Sequence, residues 1–304
     1  MKTPWWFLHK TPLAFILVPV SWIYYLIGRI VYVVRKIGSY KSRRGVICIG
    51  NIMAGGVGKT PIVHEIAKRL DAPVVMRGYK KSAKTGNVGD EAAMLSRAGL
   101  QVHVGDRKSN IILLDKQLDE TGPIVMDDGF QNPKIKKNLS ILVFDAGLGY
   151  GNGFLLPAGP LREPRRAVRR ADAVIIIRSP RARKRFSIPD GIPVFYASGH
   201  TVSPYDENQK LYAFAGIGYP KKFFATLKNV VGKRAFPDHY QYTDDDLQKL
   251  RAAAARRGAK LVTTEKDWMR LPVDMRDEIK FARLDMTLDD DFWTWLGDKI
   301  KCLH

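Results

Sequence analysis

The sequence predicts an α/β fold: a mostly parallel sheet covered on both faces, a second and smaller α/β lobe after it, and an apolar N-terminal helix. Three observations carry this reading. From residue 45 short apolar runs alternate with stretches of helical periodicity. The first of these runs passes through a glycine-rich turn straight into a helix. Ahead of them, between Lys10 and Arg29, the eighteen residues TPLAFILVPVSWIYYLIG carry no charge.

The apolar run is about the minimum length that crosses a bilayer as a helix. Trp5, Trp6, Trp22, Tyr24 and Tyr25 are the amphipathic aromatics favoured near headgroups. The alternatives are a signal peptide and a buried core helix. No small-x-small cleavage site follows the run, and Pro19 inside it would weaken a soluble helix, whereas Pro12 sits at its start. The expected element is a membrane anchor over residues 1–34, spanning the bilayer or lying in its interface. Basic residues after the run (Arg29, Arg35, Lys36, Lys41, Arg43, Arg44) outnumber Lys2 and Lys10 before it, which places the body of the protein in the cytoplasm.

Beyond the anchor, GVICIG, APVVM, LQVHVG, PIVMD, SILVFD and DAVIII read as buried strands. PIVHEIAKRL and EAAMLSRAGL repeat apolar residues every three or four positions and read as helices. Such alternation implies a parallel sheet with helices on both faces. Gly and Pro cluster in GYGNGFLLPAGPLREP, expected to be the segment between lobes. PVFYAS, KLYAFAG and AKLVTTE then read as strands of the second lobe. The expected organisation is a core over 35–148, an inter-lobe segment over 149–164 and a second lobe over 165–304, whose C-terminal end is free to return to the core.

Composition narrows the partners. The 304 residues hold 50 Lys+Arg against 30 Asp+Glu, a formal charge of +20, with 45% hydrophobic and 10% aromatic residues. That balance excludes a disordered chain, and the length suffices for two packed domains. Cys48 and Cys302 form neither a disulfide framework nor a zinc spacing. The charge points to an anionic partner: nucleic acid, an anionic membrane surface or a phosphorylated substrate.

The phosphorylated partner is favoured by GVICIGNIMAGGVGKTPIVHEIAKRL. Strand, glycine-rich turn, Gly58-Lys59-Thr60 and amphipathic helix are the context of a phosphate-binding loop. Glycines let backbone N–H groups turn inward around phosphate, and the helix N-terminus adds partial positive charge. Met53, Ala54, Gly55, Gly56, Val57 and Gly58 form the expected cradle. Lys59 reaches the β- and γ-phosphates and the Thr60 hydroxyl binds Mg²⁺. The strict spacing is missed because its first glycine falls on Met53; the alternative is a glycine-rich turn with a surface lysine. PIVMD ends in Asp127 and Asp128, the place where such proteins hold Mg²⁺. No Asn-Lys-x-Asp base-reading motif is present, which argues against a guanine-nucleotide switch.

IGNIMAGGVGKTP, MRGYK (76–80), VGDEAAML (88–95), DDGFQN (127–132), GNGFLLPAGPLREP (151–164), AFAGIGYPKKFF (213–224), FPDHYQYT (236–243) and VTTEKDW (262–268) follow in order. Together they resemble the tetraacyldisaccharide 4'-kinase family, the lipid A 4'-kinases of outer-membrane bacteria. The resemblance runs from the anchor to about residue 270. It implies ATP-dependent phosphorylation of the 4'-hydroxyl of an acylated glucosamine disaccharide 1-phosphate, by an inner-membrane enzyme working on the cytoplasmic side. The chain departs from the family pattern at Asn132, Met53-Ala54 and Trp268.

The resemblance also implies roles. Asp90 matches the family's catalytic base; read from its own surroundings, it is equally an ordinary helix N-cap. His239 matches the partner of that base, the alternative being a solvated loop histidine. Asp127, Asp128, Gln131 and Glu163 are candidates for Mg²⁺ or its waters, although the Arg-Glu-Pro turn at Glu163 also fits a salt-bridged corner. Arg162 would neutralise phosphate charge, and Arg77 lies on the acceptor side. Residues 162–185 hold ten basic side chains against Glu163 and Asp172, without the interleaved aromatics of a nucleic-acid site. Anionic headgroups and the acceptor's 1-phosphate explain them better, the alternative being a solvated basic face. The expected protein is an anchored two-lobed kinase using ATP and Mg²⁺, with no nucleic acid and no obligate protein partner. The competing readings are a membrane-associated ATPase or GTPase switch and a kinase of a soluble metabolite.

Overall fold

The computed structural model describes residues 4–77, 89–117, 121–179, 186–218, 220–238 and 240–302. The chain forms two compact units, one of residues 4–198 and 286–304, the other chiefly of 199–285.

After a short helical turn at Trp5–Phe7 come α1 (Pro12–Ile16) and α2 (Val18–Lys36), then β1 (Val46–Gly50), α3 (Lys59–Arg69), β2 (Val74–Met76), α4 (Asp90–Arg97), β3 (Val102–Val104) and α5 (Arg107–Asp115). β4 (Ile124–Asp127), β5 (Leu139–Asp145), β6 (Ala173–Ile177) and the first half of β7 (Val194–Val202) continue the larger unit. The smaller unit contains β8 (Leu211–Ala215), α6 (Pro220–Phe224), β9 (Val230–Ala235), α7 (Asp244–Ala255), β10 (Lys260–Thr264), α8 (Glu265–Trp268) and most of β11 (Lys280–Leu288). The chain then returns to the larger unit as α9 (Asp290–Lys301).

In the larger unit the strand order is β3-β2-β4-β1-β5-β6-β7, with parallel pairing at each of its steps. β1, β4, β5 and β6 are buried along their whole length, which is why they read as unbroken apolar runs rather than as alternation. α3 packs Ile62, Val63, Ile66 and Ala67 into this core, and α9 adds Phe292 and Leu296. In the smaller unit the order is β11-β10-β8-β9, again parallel. Its core holds Tyr212, Phe214, Leu247, Leu250 and Trp268. Trp268, the departure from the family pattern, is buried and donates its indole N–H to the Ile279 carbonyl at 2.7 Å.

The inter-lobe boundary expected at 149–164 falls elsewhere: that stretch lies inside the larger unit, and the chain changes unit at 198/199 and 285/286. Its glycines and prolines make close packing possible, not a hinge. Asn152 is buried: its backbone N–H donates to the Phe7 carbonyl at 2.8 Å and its amide Nδ2 to the carbonyls of Trp6 and Ala158 at 2.8 and 2.9 Å. The Trp6 indole donates to the Pro157 carbonyl at 3.2 Å. Ser21 donates to the Leu155 carbonyl at 3.0 Å and accepts from the Ala158 N–H at 3.1 Å. Residues 152–158 are thus the seat of the N-terminal segment.

The helix itself starts on Thr11, whose side chain accepts the Ala14 N–H, with Pro12 next. Pro19 proves to lie in the first turn of α2, where a missing N–H costs nothing. Ser21, Tyr25 and Tyr32 face the larger unit, the last two near Arg166 and Arg170. Trp22, Ile23, Leu26, Ile27, Ile30, Val33 and Val34 are each more than half exposed. Past its C-terminal end, Tyr40 pairs with Lys134 and Lys136 through its backbone and donates its hydroxyl to Asp115 at 2.7 Å. Both ends of α2 are therefore fastened to the same unit.

Candidate active site

The site grows from the carboxyl ends of β1 and β4, the middle of the larger sheet. β1 stops at Gly50, where a Cβ would come 2.7 Å from that of Phe130. The loop Asn51–Gly58 follows, and Gly58, at φ +83°, turns the chain into α3. A side chain there would meet Ile177 at 3.0 Å as well as the left-handed backbone, so glycine is required on two counts.

One wall of this loop is tied to residues 160–162. The Ala54 N–H donates to the Pro160 carbonyl at 2.7 Å, the Arg162 N–H to the Ile52 carbonyl at 2.8 Å, and buried Met53 bridges Leu161. This corrects one expectation. The Ala54 amide is taken by Pro160, so Met53 and Ala54 set the loop's path, while exposed Gly55 and Gly56 form its open part.

Lys59 is the first residue of α3 and Thr60 the second. The Lys59 Nζ lies 3.0 Å from Asp128 Oδ1, and Arg162 Nη1 lies 3.0 Å from Asp128 Oδ2. Asp128 itself adopts φ +50°, an unusual conformation that costs a non-glycine residue about 1–2 kcal/mol. Burial alone would push its carboxyl up, but the two cations outweigh it and hold it at about 2. Asp127, opposite Ile49 in register, has the contrary fate. Burial pushes its carboxyl up to about 7; Lys59 and Arg107 pull against this, while Glu91 and Asp128 add to it.

Gln131 donates to the Asn51 carbonyl at 2.8 Å and to Glu163 at 3.2 Å, and Glu163 is paired with Arg170 at 2.6 Å. Gln131 and Glu163, expected as metal candidates, here tie the loop's first residue to the basic turn at 165–170: the salt-bridged corner. Asp90 is the first helical residue of α4, and the cap is Gly89; an N-cap role for Asp90 is thereby removed. Arg77 is exposed just after β2. His239 lies outside the described residues.

Sequence reasoning missed three contributors. Arg170 stacks on Phe130, 4.5 Å from the ring centre. Asn51 is fully buried with both side-chain amide atoms unpartnered among the described residues, as is one oxygen of Asp127. Arg107 donates to the carbonyls of Asp127 and Asp128. None has a residue-type signature; a site-adjacent Asn after a buried strand is the nearest thing to one.

The residues present suit Mg²⁺. An unpartnered carboxylate oxygen at Asp127 and the Thr60 hydroxyl are hard oxygen donors, and Mg²⁺ usually takes one or two carboxylates together with substrate phosphates. Among the described residues no cluster of three or more His, Cys, Asp or Glu side chains could hold a metal ion.

A glycine loop opening into a helix, a lysine at its start and a carboxylate pair on the neighbouring strand end define a P-loop phosphotransferase. The chain matches the family model described as Tetraacyldisaccharide-1-P 4'-kinase over residues 13–301. It belongs to that family. Similar proteins described as tetraacyldisaccharide 4'-kinases include one from Rickettsia bellii, 35% identical over 85% of this chain and 86% of the relative. Another, from Jannaschia sp., is 39% identical over 81% of this chain and 82% of the relative. A solved structure, the "apo" form of LpxK from Aquifex aeolicus in complex with ATP, superposes with a TM-score of 0.74. It is 26% identical and the match covers 96% of this chain and 99% of that one.

Proposed function

We propose that this chain transfers the γ-phosphoryl group of ATP to the 4'-hydroxyl of an acylated glucosamine disaccharide 1-phosphate. The observation that carries this is the single match across residues 13–301, which takes in the apolar helix, the phosphate loop and the carboxylate pair together.

The reaction breaks the bond between the γ-phosphorus and the β–γ bridging oxygen, forms a bond from the 4'-oxygen to that phosphorus, and leaves ADP. The open amides of Gly55–Gly58 and the Lys59 ammonium bind the phosphates. Mg²⁺, when bound, neutralises charge on the β- and γ-phosphate oxygens, and Thr60 with Asp127 and Asp128 would hold it. Asp90 takes the proton from the 4'-hydroxyl as the new bond forms. Arg162, held by Asp128, would offer the transferring group a planar guanidinium that pairs two phosphate oxygens at once.

The substrate's acyl chains require a membrane surface, and α2 provides the seat. Its 19 residues would run about 28 Å at 1.5 Å per residue, enough to cross the hydrocarbon core. Crossing would put Ser21 and Tyr40 on opposite faces, yet both are bonded to one folded unit whose polar loops have no place in hydrocarbon. The helix lies in the interface instead, with Trp22, Leu26, Ile30 and Val33 toward lipid. ATP is supplied in the cytoplasm, so the leaflet is the cytoplasmic one of the bacterial inner membrane.

The test is transfer of label from γ-labelled Mg²⁺-ATP by the detergent-purified protein to the acylated disaccharide 1-phosphate, with Asp90→Ala and Lys59→Ala beside it. Label in the lipid, lost in both variants, is the expected result. Label only in free phosphate, indifferent to added lipid, would overturn the proposal.

A further inference from the structure

Arg107 begins α5, a helix started by Asp106, whose side chain accepts the Ser109 N–H at 3.0 Å. Its guanidinium is buried and points away from solvent to the end of β4. Nε and Nη2 donate to the Asp127 carbonyl at 3.1 and 2.8 Å, and Nη2 donates also to the Asp128 carbonyl at 3.1 Å. One planar fork thus grips two successive carbonyls. The peptide between them is the one that turns from extended strand into the left-handed conformation of Asp128.

That turn decides where the two carboxylates go. Asp128 is led onto Lys59 and Arg162. Asp127 keeps a buried oxygen without a hydrogen-bond partner among the described residues. Released from the clamp, the Asp127–Asp128 peptide could rotate, and the unpartnered oxygen would lose its fixed direction. The phosphate loop is held by other contacts, those of Ala54 and Ile52 with Pro160 and Arg162.

We propose that Arg107 is a positioning residue for the metal carboxylates: by clamping the carbonyls of Asp127 and Asp128 it fixes the geometry in which Mg²⁺ is held, without itself touching nucleotide. This rests on the ATP and Mg²⁺ part of the proposed function. A lysine cannot replace it, because a single ammonium on a flexible stem lacks the rigid fork.

The test is ATP binding to the full-length protein in detergent, by calorimetry, once with Mg²⁺ and once with excess EDTA. For Arg107→Lys the expected result is about tenfold weaker binding of Mg²⁺-ATP, metal-free ATP binding like wild type, and a Mg²⁺ titration shifted to higher concentration at fixed ATP. Arg107→Ala should behave alike and regain Mg²⁺-ATP affinity in millimolar guanidinium, which refills the space left by the side chain. Equal weakening with and without Mg²⁺ would overturn the proposal in favour of a general structural role. Wild-type affinity in both conditions would overturn it as well. No acceptor lipid is present in this assay, so its outcome is independent of whether wild-type protein labels the lipid; failure there would fall on the acceptor alone.

Discussion

Lys59 and Asp90 sit at the starts of two helices, and their substitutions separate two parts of the reaction. In the proposed reaction Lys59→Ala removes a cation from the phosphates, so both nucleotide binding and transfer should fall. Asp90→Asn should leave nucleotide binding intact while transfer drops by about a hundredfold or more, the range for loss of a positioned base. Calorimetry with Mg²⁺-ATP and labelled-phosphate transfer, run on the same preparations, distinguish the two. If Asp90→Asn weakened ATP binding as much as Lys59→Ala, the proton-accepting role would be lost. Lys59, Thr60 and the Asp127–Asp128 pair could be singled out from sequence because their pattern is local: a turn between strand and helix, an acid at a strand end. Arg107 was not, since its partners are backbone carbonyls twenty positions downstream, and a carbonyl leaves no mark in a sequence. The same holds for the Ala54 amide, whose capture by Pro160 depends on tertiary contact across a hundred residues.

The strands that announced themselves were those buried on both faces. β9 (VVGKRA) and β11 (KFARLDMTL) escaped because β9 alternates half-buried with exposed positions, β11 mixes buried with open ones, and both carry charged residues within the strand. α7 is different: TDDDLQKL signals its own start. Thr243 caps the helix by accepting the Asp246 N–H at 3.2 Å, and Asp246 accepts from the Thr243 N–H, the Thr243 hydroxyl and the Tyr240 hydroxyl. Thr243→Ala should destabilise the protein by about 1 kcal/mol, measured by urea unfolding. Burial would push the Asp246 carboxyl up, but the Thr243 and Tyr240 hydrogen bonds outweigh it and hold it below the ordinary value. A lowered carboxyl stabilises the fold at pH above its unfolded value, about 3.9, and that support is lost as the pH falls further. Asp246→Asn should therefore be less stable than wild type at pH 7, with the gap narrowing at pH 3; a gap that is constant across this range would refute the assignment.

The segment 149–164 was misread for an instructive reason. Glycine and proline mark irregular chain, and irregular chain can be a tether between units or a tightly packed wall. Here Gly151, at φ +61°, has the Phe7 carbonyl and the Pro160 ring each 2.5 Å from where a Cβ would stand. Gly151→Ala should cost about 1–3 kcal/mol, the range for forcing atoms into a packed site, seen as a lower thermal midpoint. A true tether would tolerate the change.

For the molecule as a whole, the orientation of α2 is the property most open to measurement. With Cys302 replaced by serine and Cys48 buried, an environment-sensitive label can be placed at Ile23→Cys and, separately, at Val34→Cys. Eleven positions along a helix amount to about 16 Å. In the interfacial arrangement, quenchers fixed at graded depths in vesicles should report the same shallow depth for both labels. Depths differing by anything near the full spacing would mean a spanning helix.

The seat at 152–158 has a practical consequence for anyone wanting a water-soluble form for inhibitor screening. Cutting away the oily N-terminus takes the Ser21 hydroxyl from the Ala158 N–H and the Phe7 and Trp6 carbonyls from the backbone N–H and side-chain amide of Asn152, and a buried polar group left bare costs about 1–3 kcal/mol. The injury would fall on the chain that runs on to Pro160 and Arg162, beside the proposed phosphate loop. Repainting the outer stripe of the helix with polar residues, while sparing Ser21, Tyr25 and Tyr32, is the gentler route to solubility.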